Sequence, residues 1–188
     1  MDFQITQLFD QFDKIHILSD ECKMMIMRLI KIEQLKKNEQ WLRHGQICRR
    51  MAFVQKGMLV ACYYHKANRV SCQIIREGDL CISPASFFQQ TPSEQSIEAI
   101  EETIVFSLDN HMVRDICRRH PEFRIITETY LQNLLIVWDQ FSPASRIIDS
   151  KNRFNWIKKN FPDVVNRVPK SHLGPFMGMA PGTLYRFK

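Results

Sequence analysis

The sequence has 188 residues, 45% of them apolar and 24% charged, and a formal net charge of +6. Such a chain can bury a core, which excludes disordered, collagen-like and fibrous classes, and it accommodates one ordinary domain plus a small second one rather than a large multidomain enzyme. No run of about 18 uncharged apolar residues occurs, and Met1-Asp2-Phe3-Gln4 lacks the basic flank of a signal peptide, so the expected compartment is the cytoplasm with no membrane partner.

Residues 5–12 and 19–32 read as short helices. The second opens on Ser19-Asp20-Glu21-Cys22, a capping hydroxyl followed by acidic residues that suit the positive end of a helix. From residue 32 to 108 the pattern changes to short β-branched and aromatic runs: Met51-Ala52-Phe53-Val54, Leu59-Val60-Ala61-Cys62-Tyr63-Tyr64, Val70-Ser71-Cys72-Gln73-Ile74-Ile75 and Thr103-Ile104-Val105-Phe106-Ser107-Leu108. Gly45, Gly57, Gly78-Asp79 and Thr91-Pro92-Ser93 punctuate them, and turn signals at this spacing predict an all-β sandwich or barrel. Cys22, Cys48, Cys62, Cys72, Cys81 and Cys117 contain no C-x-x-C pair and sit largely in apolar surroundings, the pattern of reduced, buried thiols. The six histidines show no spacing to one another or to carboxylates that signals a metal site. No catalytic motif is present, so neither metal, cofactor nor enzymatic activity is expected.

After Asp109 a short helix is expected to His120, then a longer one from Pro121 that Ser142-Pro143 ends. Ile126, Tyr130, Leu134, Val137 and Phe141 recur along it at steps of four, four, three and four, a stripe that serves either as core or as a helix-pairing seam. The seam reading predicts a homodimer. Residues 142–188 hold nine Lys/Arg and two Asp/Glu, +7, whereas residues 1–141 hold seventeen and eighteen, −1. A near-neutral body with a basic terminal segment suits a polyanionic partner, nucleic acid first.

The order helix, β-barrel, long helix and small basic helical unit resembles the Crp/Fnr superfamily of transcription regulators. The pieces that carry the resemblance are Leu35-Lys36-Lys37-Asn38-Glu39 with Gly45, Phe53-Val54-Gln55-Lys56-Gly57, Glu77-Gly78-Asp79, and Pro92-Ser93-Glu94 leading into Ile97-Glu98-Ala99-Ile100-Glu101. Asn166-Arg167-Val168-Pro169 running through Leu173 and Gly178-Met179 into Thr183-Leu184-Tyr185-Arg186 completes the set. The resemblance implies an α+β protein: a jelly-roll β-barrel domain with flanking helices over residues 1–120, a dimerisation helix over 121–142 and a helix-turn-helix domain over 143–188. It implies double-stranded DNA, a second copy of the chain and a small-molecule effector of unassigned identity as partners.

Two places depart from the family pattern. Where nucleotide-binding members hold the ribose with a Gly-Glu pair and the cyclic phosphate with an Arg-Ser pair, this sequence aligns Ile82-Ser83 and Ser93-Glu94. A buried phosphate without a cation is costly, so cyclic AMP is not expected to bind, and Ile82, Ser83, Ala85, Ser93 and Glu94 are the candidate lining of a different or absent effector site. In the terminal segment, residues 170–177 form the expected first helix, Gly178 the turn, and Pro181 the start of a recognition helix. Lys170, Ser171, His172, Thr183, Tyr185, Arg186 and Lys188 are the candidate DNA contacts, with Arg186 suited to a guanine edge and Lys170 and Lys188 to phosphates. Tyr185 and Phe187 are expected to pack against the first helix. Pro175 inside that helix, Gly182, and the stop at Lys188 without a β-wing keep a second reading open: a ligand-sensing or protein-interaction module that does not read DNA.

Overall fold

The computed structural model describes the backbone of residues 2–65, 68–147 and 149–186, and the side chains of residues 5–64, 69–139, 149–180 and 182–186. Two helices, α1 (Asp2–Asp13) and α2 (Asp20–Leu29), precede the β region. Ser19 caps α2 by accepting a hydrogen bond from the Cys22 amide, with Asp20 and Glu21 in the first turn. The helix stops at Leu29 rather than 32 because Ile30 is already extended and Lys31 begins a strand.

Eight strands follow: β1 (Lys31–Leu35), β2 (Gln40–Leu42), β3 (Arg50–Lys56), β4 (Leu59–His65), β5 (Asn68–Ile75), β6 (Leu80–Cys81), β7 (Gln95–Ala99) and β8 (Thr103–Asp109), with helix α3 (Pro84–Gln89) between β6 and β7. They form two antiparallel four-stranded sheets, ordered β1-β8-β3-β6 and β2-β7-β4-β5, in a jelly-roll-like arrangement. The four predicted strand runs become β3, β4, β5 and β8. The short, polar or register-shifted β1, β2, β6 and β7 had no comparable apolar signal. Gly57 makes the β3–β4 turn possible: its φ is +90°, and a Cβ there would lie 2.5 Å from Glu102 O and from Thr103 Oγ1.

The barrel core joins Ala52, Val54, Leu59, Ala61, Ile75, Ile97 and Phe106 to a helical cover from α1, α2, α4 (Asn110–Arg119) and α5 (Pro121–Ile147). Phe12 and Tyr130 meet Phe53 edge-on, with ring centroids 4.9 and 5.1 Å away, a geometry worth about 0.5–1.5 kcal/mol per pair beyond area burial. Helix α5 runs through Pro143 to Ile147 instead of ending at Ser142. The proline removes a single backbone donor late in a 27-residue helix, and the residues after it stay helical.

Among the described residues, four further helices follow: α6 (Ser150–Asn160), α7 (Pro162–Arg167), α8 (Lys170–Phe176) and α9 (Pro181–Leu184). They do not stand apart. Phe154, Ile157, Val164, Val168, Leu173, Met177, Met179 and Leu184 form a second core with Met58, Val60, Cys62 and Ile100 on the opposite face of β4. Leu59 to Cys62 are consequently buried on both sides of the sheet.

Candidate effector pocket and nucleic-acid interface

The barrel interior contains Ile82, fully buried, and Ser83, which precedes Pro84 at the start of α3. Ser93 Oγ lies 2.9 Å from Ser83 Oγ and 2.9 Å from Gln95 O, and it accepts from the Gln95 amide at 3.1 Å. The two serines are thus brought together but answer each other. Ala85 and Glu94, expected to line the pocket, are on the surface: Ala85 points out of the first turn of α3, and Glu94 precedes a strand in which Gln95 takes the inward position. Glu94 therefore exerts no contact repulsion on a ligand inside, and the neutral character of the interior rests on Ile82, Ser83 and Ser93.

Two residues escaped the sequence reading. Gln73 pairs with Ala61 and Gln95 with Tyr63, both in register with inward positions, and their buried amide oxygens Oε1 have no protein donor. The signal existed in the pattern, since Gln73 shares the parity of Ile75 along β5. Cys81 is wholly buried and its thiol is pushed well above the usual range by desolvation, so it is a packing residue and not a reactive thiol.

At the other end of the chain α8 and α9 meet through a turn at Gly178, φ +65°. Met179 N donates to Gly174 O at 2.9 Å and Arg153 Nη1 from α6 donates to Met177 O at 2.5 Å, which satisfies carbonyls at the end of α8. Pro175 is accommodated because α8 spans only seven residues and the proline lies in its last turn. Lys170, Ser171, Tyr185 and Arg186 are exposed, and Lys170 Nζ sits 4.3 Å from the centroid of the Tyr185 ring. Tyr185, expected to pack inward, is 68% exposed, because Leu184 takes the buried place beside it. Thr183 is half-buried. Lys188 and Phe187 lie outside the described residues.

His172 differs from its neighbours. Its ring faces the barrel, with Nδ1 3.1 Å from Ser71 Oγ and Nε2 3.7 Å from Glu98, and burial with the nearby Arg69 guanidinium lowers its pKa below 6.5. It belongs to the joint between the two cores. At the same joint Arg167 is bidentate to Glu77, 2.6 and 2.8 Å, and also meets Glu101, while Arg76 reaches Asp163 at 3.6 Å and lies over the Phe161 ring.

The first part of the stripe predicted as a dimer seam, Ile126 to Leu134, faces the chain's own barrel. Ile126 and Tyr130 are core residues and Leu134 packs against them, because the four-residue step aims them at Phe53 and Phe12; Val137 is half-buried, and the Phe141 side chain is outside the described residues. Among the described residues, the large apolar side chains that α5 exposes are Ile125, Leu135, Ile136 and Trp138.

Residues 32–120 match the cyclic nucleotide-binding domain family. Among solved structures the chain is similar to a protein described as a Crp/Fnr-family transcriptional regulator from Eubacterium rectale, at 13% identity and a TM-score of 0.72 over 90% of this chain and 81% of that one. It is likewise similar to the c-di-GMP-responsive global regulator CLP of Xanthomonas campestris, at 10% identity and a TM-score of 0.71 over 89% of each chain. With the catabolite activator protein of Thermus thermophilus the values are 15% and 0.55, over 92% of this chain and 83% of that one. No curated protein matches it by sequence. The chain thus has the fold of these regulator structures, and residues 32–120 of it match the cyclic nucleotide-binding domain family.

Proposed function

We propose that the protein is a DNA-binding transcription regulator of the Crp/Fnr type, homodimeric and insensitive to cyclic AMP. The observation that carries this reading is the exposed set Lys170 and Ser171 on α8 with Tyr185 and Arg186 in the turn that follows α9, which ends at Leu184 and not beyond Arg186 as the sequence suggests, in a segment with a charge of +7 over residues 142–188. Helix α8, the Gly178 turn and α9 act as a helix-turn-helix, with Arg186 offering two donors to a guanine edge and Lys170 a phosphate contact. Leu135, Ile136 and Trp138 form the pairing face of α5, where two copies present two reading heads to two half-sites.

Insensitivity to cyclic AMP follows from the interior. Ile82, Ser83, Ser93, Gln73 and Gln95 are neutral, and hydroxyls and amides alone compensate a buried phosphate poorly. The orphaned amide oxygens of Gln73 and Gln95 favour an effector that donates hydrogen bonds. Genome-wide mapping of bound DNA tests the proposal: a recurring palindromic motif with half-sites about one helical turn apart is expected, and uniform recovery of unrelated sequences would favour the interaction-module reading instead.

A further inference from the structure

The corner between α4 and α5 packs against the first turn of α2. His120 ends α4, its backbone N–H donating to Ile116 O at 2.8 Å, and Pro121 starts α5, so His120 and Glu122 stand on a fixed turn. The Ser19 cap sets Cys22 on the first turn of α2 opposite them. One thiol sulfur, one imidazole nitrogen and one carboxylate oxygen from these three residues all lie within 4.8 Å of one another.

We propose that Cys22, His120 and Glu122 bind a divalent transition-metal cation of the zinc class, with solvent as the fourth ligand. The donor set is the first reason: thiolate, imidazole and carboxylate together suit zinc and cobalt(II), while magnesium and calcium require oxygen. Geometry is the second. His120 Nδ1 and Glu122 Oε1 are 3.5 Å apart, long for a hydrogen bond and close to the edge of about 3.3 Å of a tetrahedron with bonds of about 2.0 Å. Charge is the third, since a divalent cation, one thiolate, one carboxylate and a neutral imidazole sum to zero, which suits a site whose sulfur is fully buried.

The surroundings are those of a held ligand set. Ser19 Oγ donates to Glu122 Oε1 at 2.7 Å and so orients the carboxylate. Among the described residues the Cys22 thiol makes no hydrogen bond. The side chains of His120 and Glu122 are 15% and 18% exposed, which leaves a path for the cation from solvent. Binding forms the metal–sulfur bond and releases the thiol proton to water. The site ties α2 to the start of α5, and it stands or falls independently of DNA binding.

Cobalt(II) titration of the full-length reduced protein, followed by zinc competition against a chromogenic chelator, provides the test. One cobalt per chain is expected, with a thiolate-to-cobalt charge-transfer band in the near ultraviolet and the intense visible bands of four-coordinate cobalt, all displaced by zinc. Cys22→Ser should abolish the charge-transfer band and His120→Ala or Glu122→Gln should weaken zinc at least about tenfold, whereas Cys72→Ser should leave both unchanged. His120 lies at the partly exposed corner, so its variant remains informative even if Cys22→Ser folds poorly. No thiolate band in the wild type, a band that survives Cys22→Ser, or zinc affinity unchanged in His120→Ala would overturn the proposal.

Discussion

The two cores of this protein share the barrel but are sealed in different ways. One closes under α1, α4 and α5 with hydrocarbon, where Phe12, Phe53, Phe123 and Tyr130 meet ring against ring. The other closes under α6 to α9 with hydrocarbon rimmed by charge: Arg167 with Glu77 and Glu101, Arg76 with Asp163, and His172 beside Glu98 and Arg69. Hydrophobic burial responds weakly to salt and pH, whereas partly exposed ion pairs and a half-buried histidine respond to both. The difference makes the first cover a fixed part of the barrel and the second an adjustable joint that sets where α8 and α9 are held.

The largest effect should come from the fixed cover. Phe53→Ala removes a fully buried ring that touches Phe12 and Tyr130, and it should cost about 3–5 kcal/mol of global stability in urea denaturation. A loss confined to the terminal helices would show that the two cores are not distinct.

Ile157→Ala cuts into the second core and should cost about 2–4 kcal/mol, read out regionally. Hydrogen exchange should accelerate across α6 to α9 while β3 and β8 stay protected. Equal acceleration everywhere would mean that the joint and the barrel open as one unit.

Arg167→Ala should cost about 1 kcal/mol, because its two partners are themselves partly exposed and solvent screens the pairs. The wild-type joint should weaken with added salt by a similar amount, and the variant should lose that salt dependence, measured by the same exchange experiment.

The smallest effect is a pH response of His172. Its pKa is lowered in the folded state by burial and by Arg69, against a partial upward pull from Glu98. A freed ring binds a proton more readily, so the joint is stabilised above about pH 6.5 and loses that contribution as pH falls toward the folded value. Exchange in α8 should therefore rise between about pH 7.5 and about pH 5.5, and His172→Gln should remove the difference. An identical response in the variant would place the titrating group elsewhere; Glu77, held low by Arg167, titrates in a more acidic window.

Much of the fold was legible because periodicity carries it. The apolar runs of β3, β4, β5 and β8, the turn glycines and the Ser19 cap all act locally. The unbroken run Leu59-Val60-Ala61-Cys62 reads as a strand, but its burial on both faces and what covers the second face appear only in the structure. Ile126, Tyr130 and Leu134 at the start of the α5 stripe are buried by the barrel, since a periodicity names a buried face and not the surface that buries it. His172 falls among the candidate DNA contacts in the sequence because Ser71 and Glu98, which approach it in the fold, are far away along the chain. The Cys22, His120 and Glu122 cluster was invisible for the same reason, its sulfur and nitrogen ligands being brought together only by the packing of α2 on the α4–α5 corner.

Fluorescence anisotropy with duplex DNA addresses the central claim directly. The account predicts binding that falls steeply with salt, a loss of about 1–3 kcal/mol of discrimination at one base position per half-site in Arg186→Ala, and a uniform weakening with a salt slope reduced by about one in Lys170→Ala. Equal and negligible binding of random and selected duplexes by the wild type at low salt would contradict it.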